Sequence, residues 1–212
     1  MKTVRSLAGS IAVWSWIVVL SGCSVLSPQP DTTKFFVLTS IANASAGSAT
    51  PAAAVNATSS LVIGVGPIKF PQYLRRPEIV TRTSPSEVEL SNTDHWAEPL
   101  DSAFARVLSE NLSRLLGTQQ VVTFPWYNSG QIDYAVQVNV MRFETDLKGT
   151  PELEAQWSIQ DAHSGKVLVA RESGITGAAD SSHSTGLSQA LGSLSQEIAS
   201  QIIRLNQQRT RG

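Results

Sequence analysis

Apolar and polar positions change period several times along this chain, and each change marks an element. Tyr134, Val136, Val138 and Val140 alternate with Gln137 and Asn139, the period of two of a half-buried strand. Leu153, Ala155, Trp157 and Ile159 repeat that alternation. His163-Ser164-Gly165 then turns the chain into a second run, Val167 to Ala170, completing a hairpin. Leu61 to Val65 is an unbroken apolar run of the buried-strand kind, broken or bent at Gly66-Pro67. Ile79 to Thr83 and Val88 to Leu90 flank Ser84-Pro85-Ser86 and read as another hairpin. Short strands are expected at Phe35 to Thr39 and Val121 to Phe124. Two stretches switch to a helical period. Leu100, Phe104, Val107, Leu108, Leu112 and Leu115 make one apolar face, with regular helix starting near Glu98, Pro99 in the first turn and Gly117 as the stop. Leu187, Leu191, Leu194, Ile198, Ile202 and Leu205 make the other. Gly192 inside that helix costs roughly 1 kcal/mol relative to alanine.

This order predicts an α/β fold: a mixed, partly antiparallel sheet with two main amphipathic helices packed on it. It forms a single domain over residues 35–206, and residues 207–212 fray as a tail. The chain has no internal repeat. Ile41 to Ser60 is dominated by Ala, Ser, Thr and Asn, too poor in large apolar groups to pack, so 41–60 reads as a flexible loop.

The amino-terminal pattern is different. Lys2 and Arg5 precede a mostly apolar run from Leu7 to Leu20, 14 residues long. A membrane-spanning helix needs about 20; the shorter run fits the core of a secretory signal. Leu20-Ser21-Gly22-Cys23 closes it and holds the only cysteine of the chain. Small residues before a cysteine resemble the bacterial lipobox, in which the thiol takes a diacylglycerol and the freed amine a further acyl chain. Residues 1–22 are then a lipoprotein signal peptide, Cys23 is the lipidation site, and 23–34 are the lipidated residue with a Pro28- and Pro30-stiffened tether. Two or more acyl chains hold a protein firmly where one is marginal.

Removing residues 1–22 takes two of the 16 basic residues and none of the 17 acids, leaving a net charge of about −3. Without a basic excess, nucleic-acid binding has no electrostatic support. No second long apolar run exists to cross a bilayer. His95, His163 and His183 are unpaired at ligand spacing, Ser164-Gly165-Lys166 lacks the upstream glycine of a phosphate loop, and no nucleophile elbow occurs. Glu98 and Asp101 sit where acids favour a helix start. No catalytic residue, metal or cofactor is expected beyond the lipid on Cys23. One cluster stands out: Arg75, Arg76 and Arg82 in "YLRRPEIVTR". Guanidinium groups pair well with carboxylates and phosphates. They either sit in a solvated loop, with local pairing to Glu78 or Glu87, or form a contact surface for a partner protein or lipid headgroups.

The stretch "IGVGPIKFPQYLRRPEIVTRTSPSEVELSNTDHWAEPLDSAFARVLSENLSRLLGT", Ile63 to Thr118, resembles the PqiC family of ABC-type transport auxiliary lipoproteins. Its specific core is "GVGPIKFPQYLRRPEIVTRTS" followed by "HWAEPL"; the lipobox, "FFVL", "VVTFPW" and "DYAVQVNVMRFE" fit the same layout. The resemblance covers most of the chain after Cys23 and departs from the family at the Ala/Ser-rich 41–60 insertion. It implies a fold similar to the TolB N-terminal domain and a non-catalytic lipoprotein in the outer membrane, facing the periplasm. The implied partners are an MCE-domain periplasmic protein and an inner-membrane component of an intermembrane lipid transport system that supports membrane integrity. Ser24 after the cysteine agrees with outer-membrane sorting. A homo-oligomer is compatible with the sequence. Two other classes stay open: an assembly factor or plug for an outer-membrane β-barrel, and an envelope hydrolase.

Overall fold

The computed structural model describes residues 32–41, 58–126, 131–177, 179 and 182–211. The signal segment, Cys23, nearly all of the tether and residues 42–57 of the expected loop lie outside these. From Thr33 onward the chain is one unit.

Eight strands form one mixed sheet: β1 (Lys34–Phe36), β2 (Ile63–Lys69), β3 (Glu78–Ser84), β4 (Glu87–Trp96), β5 (Val121–Thr123), β6 (Tyr134–Asp146), β7 (Pro151–Asp161) and β8 (Val167–Thr176). Two helices complete it, α1 (Leu100–Leu116) and α2 (His183–Arg209). The expected mixed sheet with two amphipathic helices is the observed fold.

β6 organises the sheet. One edge pairs antiparallel with β7 along nearly its whole length, from Tyr134↔Asp161 to Thr145↔Pro151. The other edge is shared: β2 pairs in parallel with residues 134–139, and β3 with Thr145 and Asp146. Beyond β3 come β4 and then β1; beyond β2 comes β5; beyond β7 comes β8. The alternation seen in the sequence holds to Val140. A register shift between Val140 and Arg142 then moves the inward position from residue 142 to Phe143. Phe143 thereby joins Phe70 and Phe104 in an edge-to-face cluster, with ring centroids 5.3 to 6.4 Å apart.

Both helices lie on one face of the sheet. Phe104, Val107, Leu108 and Leu112 of α1 and Leu191, Leu194, Ile198 and Ile202 of α2 are fully buried against Ile63, Val136, Leu153 and Ile159. Leu116, rather than Leu115, completes the α1 face. Gly117 ends that helix with φ 66°, and the amides of Gly117 and Thr118 return to the carbonyls of Arg114 and Ser113. β2 bends where expected: Gly66 has φ 118°, and a Cβ there would meet Phe124 Cβ at 2.6 Å.

Several boundaries differ from expectation. β4 runs on to Trp96 past the polar Ser91 to Thr93: Asp94, His95 and Trp96 pair with β1, His95 also with Glu78 of β3, and Ser91 Oγ accepts from the amides of Thr93 and Asp94 where the register shifts. β8 continues to Thr176 as an edge strand with one neighbour. α2 begins at His183 and continues to Arg209, so residues 207–209 are helical and not frayed. Arg209 Nη1 donates to Asp133 Oδ1 at 3.3 Å, which holds that last turn to the start of β6.

The segment Leu38–Ile41 after β1 crosses both helices as a strap. Leu38 is buried. Thr39 N donates to Ser188 Oγ of α2 at 3.0 Å, and Ile41 N to Asn111 Oδ1 of α1 at 2.9 Å. Asn111 Nδ2 in turn donates to the buried Ser195 Oγ at 3.0 Å. Arg106 and Arg114 of α1 reach Leu38 O and Ser40 Oγ. The buried polar residues of the helices therefore satisfy backbone donors of the strap. Thr58, at the other end of the expected loop, is buried and donates from Oγ1 to Leu116 O. Both ends of that loop are thus pinned to the domain.

Candidate functional site

The two sequence blocks "YLRRPEIVTR" and "HWAEPLD" meet in space. A short 3-10 turn, Gln72–Leu74, is anchored by the buried Leu74 and delivers Arg75, Arg76 and Pro77 to the start of β3. Trp96 ends β4, and its N–H donates to Pro77 O at 2.6 Å. Ala97 N donates to Phe36 O of β1 at 2.9 Å, and Pro99 caps α1. These bonds fold Trp96 to Asp101 around the two arginines and leave a pocket of about 370 Å³.

Its walls divide by chemistry. Pro77, the buried Trp96, Pro99 and Leu100 supply apolar surface. Arg75 is exposed, and its Nη2 lies 3.6 Å from Asp101 Oδ2. Arg76 is half-buried; its Nε is shielded from solvent and donates to no acceptor among the described residues. Glu98 is engaged elsewhere, accepting from Arg106 Nη2 at 2.5 Å while Arg106 Nη1 reaches Glu110 at 3.2 Å. The hydrogen bond it donates to Glu98 is the main reason that the Arg106 guanidinium holds its proton more tightly than usual. One carboxylate is thus neutralised by α1 itself, the other is loosely paired with Arg75, and the Arg76 donor is unspent. Such a pocket fits a carboxylate or phosphate carried next to an apolar group.

Arg82 does not join it. Arg82 Nε donates to Glu144 Oε1 at 2.6 Å, Nη2 to Tyr73 Oη at 3.3 Å and Nη1 to Pro85 O at 3.2 Å. Its side chain is only 17% exposed and that of Glu144 is 1% exposed, so this arginine is consumed by a structural ion pair and presents nothing to a partner. The expected three-arginine surface is therefore two arginines. Local pairing of Arg82 with Glu87 is also replaced, by a long-range partner on β6. Arg142 completes the cluster through Glu144, Glu152 and Glu154. Tyr73 donates to Glu144 Oε2 at 2.8 Å; burial first, then the Glu144 charge, pushes its phenol up to about 12.

In the sequence Trp96 stands out only within the block "HWAEPL", and Leu100 only as the first residue of a helical apolar face. Glu98 and Asp101 read only as helix-start acids. The available signal was the position of "HWAEPL" immediately before a proline-capped helix.

A second, larger concavity of about 540 Å³ lies on the sheet and includes Lys69, Gln137, Asn139, Gln156 and Ser158. Its lining mixes these polar side chains with Pro67, Val138, Trp157 and Ala170, and Gln156 there donates to Glu172 at 3.0 Å. Among the described residues, no group of three or more His, Cys, Asp or Glu is placed to hold a metal ion. No helix among them is long and apolar enough to cross a membrane.

Two of the solved structures that resemble this one show how far the fold is shared. A protein from Xanthomonas campestris superposes with a TM-score of 0.63 at 17% identity, over 84% of this chain and 100% of its own. An uncharacterized protein superposes with a TM-score of 0.59 at 18% identity, over 81% of this chain and 97% of its own. At these identities the likeness speaks for the fold alone. Among curated proteins, none matches the chain. Residues 43–203, which include both sides of the arginine pocket, match the family described as ABC-type transport auxiliary lipoprotein component. The chain belongs to that family of transport auxiliary lipoproteins.

Proposed function

We propose that this protein is a non-catalytic lipoprotein, acylated on Cys23 and held in the outer membrane facing the periplasm. Its domain receives an MCE-domain partner of an intermembrane lipid transport system that includes an inner-membrane component. What carries the reading is one coincidence: Leu20-Ser21-Gly22-Cys23 ends a 14-residue apolar run, and the domain that follows is a transport-auxiliary one. The Arg75–Arg76 pocket is the docking point for an acidic segment of the partner. Its unspent Arg76 donor and apolar walls support that role, since desolvated guanidinium groups beside aromatic and proline surface are typical anchors of interfaces.

The test has two arms. Cys23→Ala is expected to leave the domain folded and release it from the outer-membrane fraction; a variant that stays there refutes the anchor. Arg75→Glu combined with Arg76→Glu is expected to abolish co-purification of the MCE protein without changing the melting temperature. Co-purification that persists refutes the pocket as docking point. Loss of vesicle binding alone, with the partner retained, assigns the pocket to headgroups instead. Capture of a β-barrel in place of an MCE protein overturns the transport role.

A further inference from the structure

The strap fixes where the chain enters the domain. Leu38 is buried and Thr39 and Ile41 are hydrogen-bonded to both helices, so β1 just before them is held in place. Along β1 the side chains alternate. Phe36 and Leu38 turn inward, whereas Phe35 and Val37 turn out, 69% and 49% exposed. Phe35 is the most exposed of the large apolar residues described, and its one aromatic neighbour is His95, 6.0 Å away between centroids. Phe35 and Val37 thus present two apolar side chains on one side of a chain segment that is held in place.

We propose that Phe35 and Val37 form a second membrane contact, dipping into the phospholipid surface to which the chain is tethered. This rests on the reading of Cys23 as acylated. The length of the chain argues for lipid as the occupant. Eleven peptide units separate Cys23 from Lys34 and span at most about 40 Å when extended. Phe35 is therefore among the first folded residues after the anchor, and no folded part of the domain meets the bilayer with less chain to spare. A short tether also raises the local concentration of the bilayer at this strand, so a contact too weak to bind alone becomes occupied. Geometry agrees: Phe35 and Val37 lie two residues apart on the same side of the extended chain, so both apolar side chains meet one surface. The edge itself is a poor template for another strand, since β1 has only three residues. Insertion here would orient the domain. Because Ala97 of the arginine pocket is hydrogen-bonded to Phe36, the pocket would then lie beside the membrane-facing strand.

The test uses the full-length lipoprotein in vesicles of phosphatidylethanolamine and phosphatidylglycerol. Val37→Cys supplies a reactive thiol, Cys23 being blocked by its lipid, and carries an environment-sensitive nitrobenzoxadiazole label. Val167→Cys, at the exposed start of β8 on the opposite edge of the sheet, is the control. The expected result is a blue shift and quenching by doxyl-labelled lipid at position 37 and neither at position 167, with Phe35→Ser abolishing both effects. Floating protein without quenching at position 37 overturns this contact and leaves the anchor intact. Wild-type protein that does not float overturns the anchor and this contact together. A blue shift at position 37 without vesicles shows that a second copy covers the patch and also overturns it.

Discussion

A Cβ on residue 192 would stand 2.7 Å from Cγ2 of Ile41, so the glycine within α2 and the strap residue compete for one volume. Read as sequence, Gly192 is a helix defect. In the fold it is the notch that lets the strap lie flat across the helix.

Gly192→Ala therefore trades two effects. The helix gains roughly 1 kcal/mol of propensity. Forcing a methyl against a β-branched side chain costs about 1–3 kcal/mol. The expected net is a loss of about 1 kcal/mol, read from urea denaturation. With Ile41→Ala in place the obstruction is gone, and the same alanine becomes stabilising. The change of sign between backgrounds, measured as a double-mutant cycle, is the diagnostic.

Asn111→Leu has a larger effect than its conservative volume implies. It removes the acceptor for Ile41 N–H and the donor to Ser195 Oγ. A stranded buried donor costs about 1–3 kcal/mol. Amide hydrogen exchange at Thr39 and Ile41 is expected to accelerate in this variant, while the exchange of β6 and β7 stays slow. Uniform acceleration would mean that the strap has no independent stability.

Arg82→Ala leaves the Glu144 carboxylate buried with Arg142 as its remaining cation, 3.4 Å away. Removing one partner of a buried pair costs about 3–5 kcal/mol, and the remaining arginine reduces this to about 2–4. Replacing Arg82 and Glu144 together by methionine is expected to cost less than Arg82→Ala alone. Partner binding should survive in the double variant, since neither residue lines the pocket.

The phenol of Tyr73 gives an alkaline signature. Its value is about 12 in the fold against about 10 when unfolded, so the native state holds the proton more tightly. That stabilisation is fully present below pH 10 and is lost as pH rises from 10 toward 12. Because the ring is half-buried and partly screened, the loss is about 1 kcal/mol. Tyr73→Phe should be less stable at neutral pH and show a shallower decline between pH 9 and 11.5; parallel curves for the two proteins would contradict this.

What the chain reveals by inspection follows from burial on one face. β6, β7 and both helices are legible because each sets a regular apolar period against the same core. β4 past Leu90 is not, because Ser91 to His95 carry no period, and Asp94 and His95 gain their order from neighbouring strands. The shift at Met141 is hidden as well: Arg142 and Glu144 occupy positions that strict alternation assigns to the core, and only the partners Arg82 and Glu154 explain them. Of the candidate site, the arginines are visible as residue types. Their separation into two exposed groups and one structural group depends on Glu144, 62 residues from Arg82. The other wall of the pocket depends on the bond between Trp96 and Pro77, which no local pattern announces.

The parallel pairing of β1 with β4, followed at once by the strap, has a mechanical meaning. Traction applied upstream of Lys34 would run along the strand axis and load its few hydrogen bonds in shear, together, instead of unzipping them singly. The strap's links to α1 and α2 then share the load. A domain suspended from its leading end in this way can be tugged by whatever it grips without surrendering its interior.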